Sequence, residues 1–540
     1  AVIWARAAHL FAQGEVPDEG VPHRFYAIAF LLHWFTGTAR TPNFLWFKIA
    51  WCALSALGCA TSYLVFVRNL PRRPAFIATG LCVFSFGSYV LATSLNVEGL
   101  YSPLLILILG GTLELARRRS WSWVLPLSVL NALALLAREE HLLLLLLLSG
   151  YVWWQWTSRS PGGPRSLAGA LAGTLALLAS RARMTLPAVT VVLGAIVLCL
   201  PYSVHATRAT HRYNTHPKQT PNYDRGDVTW PADARAFIDS LPAFVRSKTV
   251  DLVTHRCRQL GMSTVTPEVA QQQLVEFFGS LPDRLSTPVF IASHGPMSFA
   301  LSNHPDSNGG FSRTPLETRL RQDPRLNLSL PEHLRIFNHG YAVGWNYIRG
   351  DVVTWLGNVA KKLAHAYQGL SMGFTAYNLP LGRYGERRSC DLLTPAPGHG
   401  AIWQMLWGAV LLIGGMTAWR RSSAGAWLLT IAYKAAIVVV FYGYARQTVS
   451  ILPAFFVIAA FGIDRVLTWV GQHLPNAGSF RVAQLRFAAV LVLGAGAADV
   501  HAATHPAAYQ IVGPVHPLPE WGPQSFSSNA NIHLRGADEP

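Results

Sequence analysis

The stretch WSWVLPLSVLNALALLAREEHLLLLLLLSGYVWWQW (residues 121–156) decides the class of fold. It holds two apolar runs, Trp121–Ala137 and Leu142–Trp156, and only the four residues Arg138–His141 separate them. Each run approaches the roughly 20 apolar residues that a membrane-crossing helix needs. The stretch therefore predicts two membrane helices that are joined by a short, charged turn.

The composition of the whole chain agrees with this interpretation. Of the 540 residues, 51% are hydrophobic and only 13% are charged, whereas globular domains carry about 25% charged residues. A net charge of +17 could suggest a nucleic-acid partner. The basic residues, however, lie in short clusters between apolar runs and not along one polar face. We therefore expect no nucleic-acid partner.

Apolar runs of similar length recur along the chain. Eight further candidate spans are Leu45–Val67, Phe76–Asn96, Leu100–Ala116, Leu186–His205, Ile402–Trp419, Trp427–Tyr444, Ile451–Val470 and Phe487–Val500. The sequence thus predicts an all-α polytopic membrane protein with about ten transmembrane helices.

Arginine clusters occupy every second loop between these spans. They are Arg68, Arg72 and Arg73, then Arg117, Arg118 and Arg119, then Arg159, Arg165, Arg181 and Arg183, then Arg420 and Arg421, and finally Arg465, Arg481 and Arg486. Cytoplasmic loops are enriched in Lys and Arg, so these loops are predicted to be cytoplasmic and the alternate loops to face outside.

This topology divides the chain into five parts. Residues 1–44 are an outer loop with two amphipathic runs that suit interfacial helices, and residues 45–205 are a transmembrane bundle. Residues 206–401 are an inserted extracytoplasmic soluble domain. Residues 402–500 are C-terminal spans, and residues 501–540 are an outer tail. Because Ala1 falls outside and no signal peptide is present, we expect at least one further span upstream.

Five ionisable residues at the predicted outer edge are candidates for substrate binding: Glu98, Arg138, Glu139, His141 and Arg446. Ionisable groups in or beside spans are costly and therefore often functional. Structural alternatives remain open for each. Glu98 could simply be a carboxylate that is favourable at a helix N-terminus. Arg138, Glu139 and His141 could belong to a surface hairpin turn. Arg446 could extend from the end of a span to the membrane interface.

Two lysine positions and a cysteine pair also stand out in the sequence. Lys434 lies in the middle of a span and is expected to face the bundle interior. The pair Lys361–Lys362 is typical of a solvated helix face. Cys257 and Cys390 both fall in the inserted segment and could pair in an oxidising compartment. No metal-binding spacing is found.

Several stretches carry a resemblance to a known group of proteins. They are AVIWARAAHLFAQGEVP with HRFYAIAFLLHWFTG, NVEGLYSPLLILILGG, ALLAREEHLLLLLLL, FIASHGPMSFALSNHPDSNGGF, YIRGDVVTWLGNVAKKLAHAY and YARQTVSILPAFFVIAAFGI. In this order they resemble the polytopic glycosyltransferases of the GT-C superfamily, in particular the dolichyl-phosphate-mannose protein mannosyltransferases and lipid A aminoarabinose transferases of glycosyltransferase family 39.

The resemblance implies transfer of a sugar from a polyprenyl-phosphate donor to a protein, lipid or polysaccharide acceptor at the extracytoplasmic face of a bacterial inner membrane. If it holds, the positions of Arg138 and Arg446 make them the candidates for contacts of the carrier phosphate, and Glu98 and Glu139 are the candidates for lining the cavity. The family's catalytic acid directly follows its first span, and the chain begins after that point. Asp18 and Glu19 lie in the turn after the first interfacial helix and are kept as candidates for the catalytic base.

Two other functions remain open. A transporter or flippase of a lipid-linked or anionic substrate would show internal repeats and broken helices near the midplane, and no convincing repeat is present. An inactive assembly protein of the same fold is the third hypothesis. The sequence specifies no cofactor and leaves a divalent cation open.

Overall fold

The computed structural model describes residues 44–83, 97–118, 120–157, 167–217, 220–307, 309–310, 312, 314–316, 326–368, 400–419, 421–443 and 448–473. Within these ranges the regular secondary structure is helical, and an isolated bridge joins Thr229 to Thr264. The prediction of an all-α membrane protein is confirmed.

The described apolar helices before the inserted segment overlap the predicted runs, and the last of them begins before and ends after the predicted span Leu186–His205. They are α1 (Phe44–Asn69), α2 (Arg72–Val83), α3 (Val97–Arg118), α4 (Val124–Ala137, preceded by a 3-10 turn at Trp121–Trp123), α5 (His141–Thr157) and α6 (Leu167–Thr215). Three more follow the insertion in the described part of the chain. The predicted span Phe487–Val500 lies outside the described residues.

The inserted segment is helical too. It contains α7 (Ala232–Ser240), α8 (Ala243–Gln259), α9 (Pro267–Phe278), α10 (Gly295–Ser302), α11 (Pro331–Gly350) and α12 (Val352–Gln368). The chain then continues through α13 (Gly400–Ala418), α14 (Gly425–Val440) and α15 (Leu452–His473).

Three described helices are long and apolar enough to cross a membrane: Gly99–Arg118 in α3, Leu186–Thr215 in α6 and Leu452–Gln472 in α15. The apolar window of α3 is 94% buried inside the protein, compared with 39% in α6. Helix α3 is therefore the central helix of the bundle, and α6 lies at its periphery.

The exposed face of α6 is apolar. Its exposed residues recur every three or four positions: Leu186, Val189, Leu193, Val197, Leu200 and Val204. From first to last this stripe is about 27 Å long at 1.5 Å per residue, close to the roughly 30 Å hydrocarbon thickness of a bilayer. The stripe is suited to contact with lipid chains.

Helix α12 carries a shorter exposed apolar face formed by Val352, Val353, Leu356 and Leu363. The helix begins after Asp351, whose carboxylate accepts hydrogen bonds from Thr354 N at 2.9 Å and Thr354 Oγ1 at 2.6 Å. The cap explains why the chain is divided here into α11 and α12.

The inserted segment packs on the same end of the bundle as the turn between α4 and α5. Thr207 Oγ1 of α6 accepts a hydrogen bond from Val289 N at 3.0 Å, and Asn214 bonds both the N and the O of Leu285 at 3.0 Å. We call this end the insertion end. The opposite end, where Arg68, Arg117 and Arg118 lie together around Glu114, is called the arginine end.

Candidate functional site

The turn between α4 and α5 lies inside the protein. Only Arg138, Glu139 and Glu140 separate the two helices, and the His141 N donates a 2.9 Å hydrogen bond to Arg138 O. Arg138 is 2% exposed and His141 is fully buried. A surface hairpin would expose these side chains, so the structural alternative of a solvated turn does not describe them.

Arg138 and Lys434 share one carboxylate. Glu140 Oε1 lies 3.0 Å from Arg138 Nη2 and 2.7 Å from Lys434 Nζ. The side chains of Lys434 and Glu140 are 4% and 13% exposed. Removing charges from water is costly unless they are paired, which explains why a lysine in the middle of α14 is accommodated: its partner is supplied by the turn.

His141 is held on both sides of its ring. Its Nε2 lies 2.8 Å from Asn131 Oδ1, and its Nδ1 lies 2.8 Å from the Tyr101 hydroxyl. The Asn131 amide nitrogen donates to Leu127 O at 2.7 Å, so the oxygen faces the histidine and Nε2 must carry the proton. In a neutral imidazole Nδ1 is then the acceptor and Tyr101 the donor. His141 therefore positions Tyr101 and the turn.

Tyr101 connects this cluster to the central helix α3. The Arg138 guanidinium carbon lies 5.7 Å from the centroid of the Tyr101 ring, a cation–π distance. One residue further, Ser102 Oγ donates to Val449 O at 3.0 Å and to Ser450 O at 3.1 Å. The start of α3 is thus bonded to the chain that leads into α15.

Glu98 is the second residue of α3, one helical turn before Tyr101 and Ser102, so its backbone lies above the cluster on the same helix. Its side chain is outside the described part of the structure.

Glu139 acts on the inserted segment. Burial and then the negative charge of Glu139 raise the pKa of Tyr341, which lies on α11. The Tyr341 ring is also 5.5 Å from that of Phe299 on α10. The charge of the turn therefore acts on the inserted segment at Tyr341, which is half-exposed.

A second buried cation lies nearby at the insertion end. Lys362 is fully buried, and its Nζ donates to Asn303 Oδ1 at 2.9 Å and to Val439 O at 3.2 Å. No carboxylate among the described residues forms an ion pair with it. Burial lowers the pKa of Lys362 to about 8. The interpretation of Lys361–Lys362 as a solvated face holds only for Lys361, which is exposed.

The surroundings of Lys362 are closely packed backbone. A Cβ on Gly443 would lie 1.9 Å from Lys362 O, and one on Gly309 would lie 3.0 Å from Lys362 N. Gly309 also has φ +97°, which favours glycine. Gly443 N donates to Gly309 O at 3.0 Å. Glycine at both positions lets three segments approach one another around the lysine.

Helix α14 contacts both buried cations, since it carries Lys434 and also the carbonyl that binds Lys362. Lys434 is five residues before Val439, the carbonyl acceptor of Lys362, and this is about 7.5 Å along the helix axis. Lys434 and the carbonyl that binds Lys362 therefore both lie in the C-terminal half of α14.

Of the predicted site residues, the structure brings together Arg138, His141 and the helix that carries Glu98, with Glu139 facing the inserted segment. Asp18, Glu19 and Arg446 lie outside the described residues. Gly443 and Thr448, the nearest described neighbours of Arg446, are bonded to Gly309 O and Ala366 O respectively.

Five residues of the cluster were not among the predicted site residues: Tyr101, Asn131, Glu140, Lys362 and Lys434. One signal was present for the ion pair, because an ammonium within an apolar span needs a carboxylate at the same depth. The polar side chains of Tyr101 and Asn131 carry no comparable signal, since such residues are common in helices.

The described residues contain no group of three His, Cys, Asp or Glu side chains that could hold a metal ion. Cys257 is a buried free thiol in the core formed by α7, α8 and α9. Burial raises its pKa. Its suggested partner, Cys390, lies outside the described residues.

The chain matches no protein-family model and no curated protein. Among solved structures it is similar to the crystal structure of the Archaeoglobus fulgidus oligosaccharyltransferase tethered with an acceptor peptide containing the NVT sequon via a disulfide bond. The sequences are 11% identical, the TM-score is 0.37, and the match covers 94% of this chain and 51% of that chain. The chain thus spans about half the length of that structure.

Proposed function

We propose that the protein is a membrane glycosyltransferase that moves a sugar from a polyprenyl-phosphate donor to an acceptor hydroxyl or amide at the extracytoplasmic face. The observation that carries the proposal is the buried group formed by Arg138, Lys434 and Glu140, in which two cations share one carboxylate. A phosphate that leaves in the reaction gains negative charge, and preorganised cations in a poorly hydrated site stabilise it strongly.

The proposed reaction is a displacement at the anomeric carbon. The acceptor oxygen or nitrogen forms a bond to that carbon, and the bond from the carbon to the phosphate oxygen breaks with its electron pair remaining on the phosphate. A carboxylate takes the proton of the acceptor. Asp18, Glu19, Glu98 and Glu139 remain the candidates for this base, and Arg138 and Arg446 remain the candidates for holding the phosphate. Lys434 joins them, and His141 is assigned to positioning.

A test uses membranes that contain the protein and a panel of radiolabelled polyprenyl-phosphate hexoses and pentoses. We expect the label to move from the lipid to an acceptor, and Arg138→Gln to reduce this transfer at least 100-fold, since losing one preorganised donor costs about that factor. Arg138→Lys keeps the charge and should retain part of the activity. Lys361→Gln, at an exposed position, is the control and should behave like the wild type.

Unchanged transfer in a folded Arg138→Gln protein would remove the proposed role of Arg138. The same assay distinguishes the second candidate function, which the ion pair of Lys434 and Glu140 also suits because transporters place such pairs inside the membrane. A transporter would move the labelled lipid across the bilayer without separating the sugar from its phosphate.

A further inference from the structure

A polar cavity of about 210 Å³ lies at the arginine end, at the opposite end of the bundle from the proposed site. It is formed where α1, α3 and α5 end and where the chain enters α14. Its lining residues are Arg68, Asn69, Leu113, Ala116, Arg117, Tyr151, Gln155 and Ser423. One water needs about 10–15 Å³ on this measure, so the cavity has room for a larger polar group.

Gln155 offers a buried polar side chain to a ligand in this cavity. It is 7% exposed and lines the cavity. Its side-chain amide can both donate a hydrogen bond to a polar group in the cavity and accept one from it.

The charge around the cavity favours an anion. Glu114 is nearly fully buried, and three arginines surround its carboxylate: Arg68 Nε at 3.4 Å, Arg118 Nε at 2.8 Å, and Arg117 through a short hydrogen bond. Three guanidinium groups and one carboxylate leave a net charge of +2. Arg68 and Arg117 also line the cavity, and Arg118 does not.

We propose that this cavity binds a phosphate group, and that its natural source is the headgroup of an anionic phospholipid. Guanidinium groups match phosphate geometry with paired hydrogen bonds, and the Gln155 amide adds a neutral donor. Leu113 and Ala116 offer an apolar side for the ester chain. Basic pockets between transmembrane helices on the cytoplasmic side are known to take anionic headgroups, and the arginine end is the one predicted to be cytoplasmic.

Native mass spectrometry of the full chain in detergent tests this inference, with phosphatidylglycerol, phosphatidylcholine and inorganic phosphate as separate probes. We expect phosphatidylglycerol to bind the wild type and Gln155→Glu to weaken that binding at least tenfold, because a hydrogen bond to a charged group is replaced by repulsion. Arg118→Gln is the matched control. It lowers the cluster's charge by the same amount without changing the cavity lining, and it should weaken binding less than about threefold.

Equal weakening by Gln155→Glu and Arg118→Gln would overturn the inference, since it would indicate attraction to the general charge of this end. Equal binding of phosphatidylcholine would overturn it as well. Binding of inorganic phosphate with no preference for phosphatidylglycerol would support the phosphate site and assign it to free phosphate. Thermal unfolding of each variant without lipid shows whether a loss of binding reflects a loss of folding.

Discussion

At the scale of single residues, Glu140 neutralises two buried cations at once. When Lys434 is removed, Glu140 keeps Arg138 as its partner. When Glu140 is removed, both Arg138 and Lys434 lose their shared carboxylate. Breaking a buried ion pair by removing one partner costs up to about 3–5 kcal/mol, and the loss of Glu140 breaks two pairs where the loss of Lys434 breaks one, so the two ends are not equivalent.

We therefore expect Glu140→Gln to destabilise the protein by about 3–5 kcal/mol and Lys434→Met by clearly less. The measurement is the thermal unfolding midpoint of the purified protein in one detergent. Glu332→Gln is the control, because the pair of Glu332 and Arg335 is exposed on both sides and such pairs contribute only about 0–1 kcal/mol. A larger loss for Lys434→Met than for Glu140→Gln would show that the carboxylate is not shared.

The same residues show where sequence reasoning stops. Arg138 and the charged turn could be predicted, because charges that interrupt an apolar run are conspicuous. Which of the adjacent carboxylates faces the bundle could not, since the backbone path of a turn of three residues decides it. Glu139 was selected from the sequence, and the structure pairs Glu140 with Lys434.

At the scale of helices, the apolar runs predicted where most of the described apolar helices lie, because burial in lipid leaves the backbone no other way to satisfy its hydrogen bonds. Three of these helices are long and apolar enough to cross a membrane. The end of α6 was less predictable. The helix continues to Thr215, well beyond the predicted end at His205. Thr207 and Asn214 bond the segment from Leu285 to Val289, and contacts so distant along the chain are not visible in local hydrophobicity.

Three elements meet at Lys362: helix α12, which carries it, the loop after α10 through Asn303, and the end of α14 through Val439 O. The pKa of Lys362 is about 8 in the folded protein, below the ordinary value of about 10.4 for lysine in an unfolded chain. Between these two pH values the unfolded chain binds more protons than the folded protein. Stability must therefore rise with pH across this window.

We expect the wild type to gain stability relative to Lys362→Met as the pH rises from about 8 to 10, by about 1–3 kcal/mol in total. Below pH 8 the difference between the two proteins should be constant. Thermal unfolding midpoints across this pH range measure it, with Lys361→Met as the matched control at the exposed neighbouring position. A difference that stays flat between pH 8 and 10 would show that the Lys362 ammonium keeps an ordinary pKa.

At the scale of the whole molecule, the distribution of the +17 charge matters more than its size. Arg68 and Arg117 belong to two different arginine clusters of the sequence, and the structure brings both to the same end of the bundle. The inserted segment lies at the other end, with the ion pair of Lys434 and Glu140. The alternation of charged loops predicts that the arginine end is cytoplasmic, and both proposed phosphate sites depend on that orientation for their natural ligands.

Two conservative substitutions report the orientation directly. Ser122 lies in the turn between α3 and α4 at the arginine end, Ser280 follows α9 in the inserted segment, and both are exposed. In a background with Cys52→Ser, Cys59→Ser and Cys390→Ser, a membrane-impermeant maleimide should label Ser280→Cys in intact cells and Ser122→Cys only after the membrane is opened. Cys82, Cys199 and Cys257 are buried and should add little background. The reverse pattern would place the inserted segment in the cytoplasm, where a lipid-linked sugar presented outside could not reach Arg138. Equal labelling of both positions in intact cells would contradict the alternation of the loops itself, because it would place the two ends of the bundle on one side of the membrane.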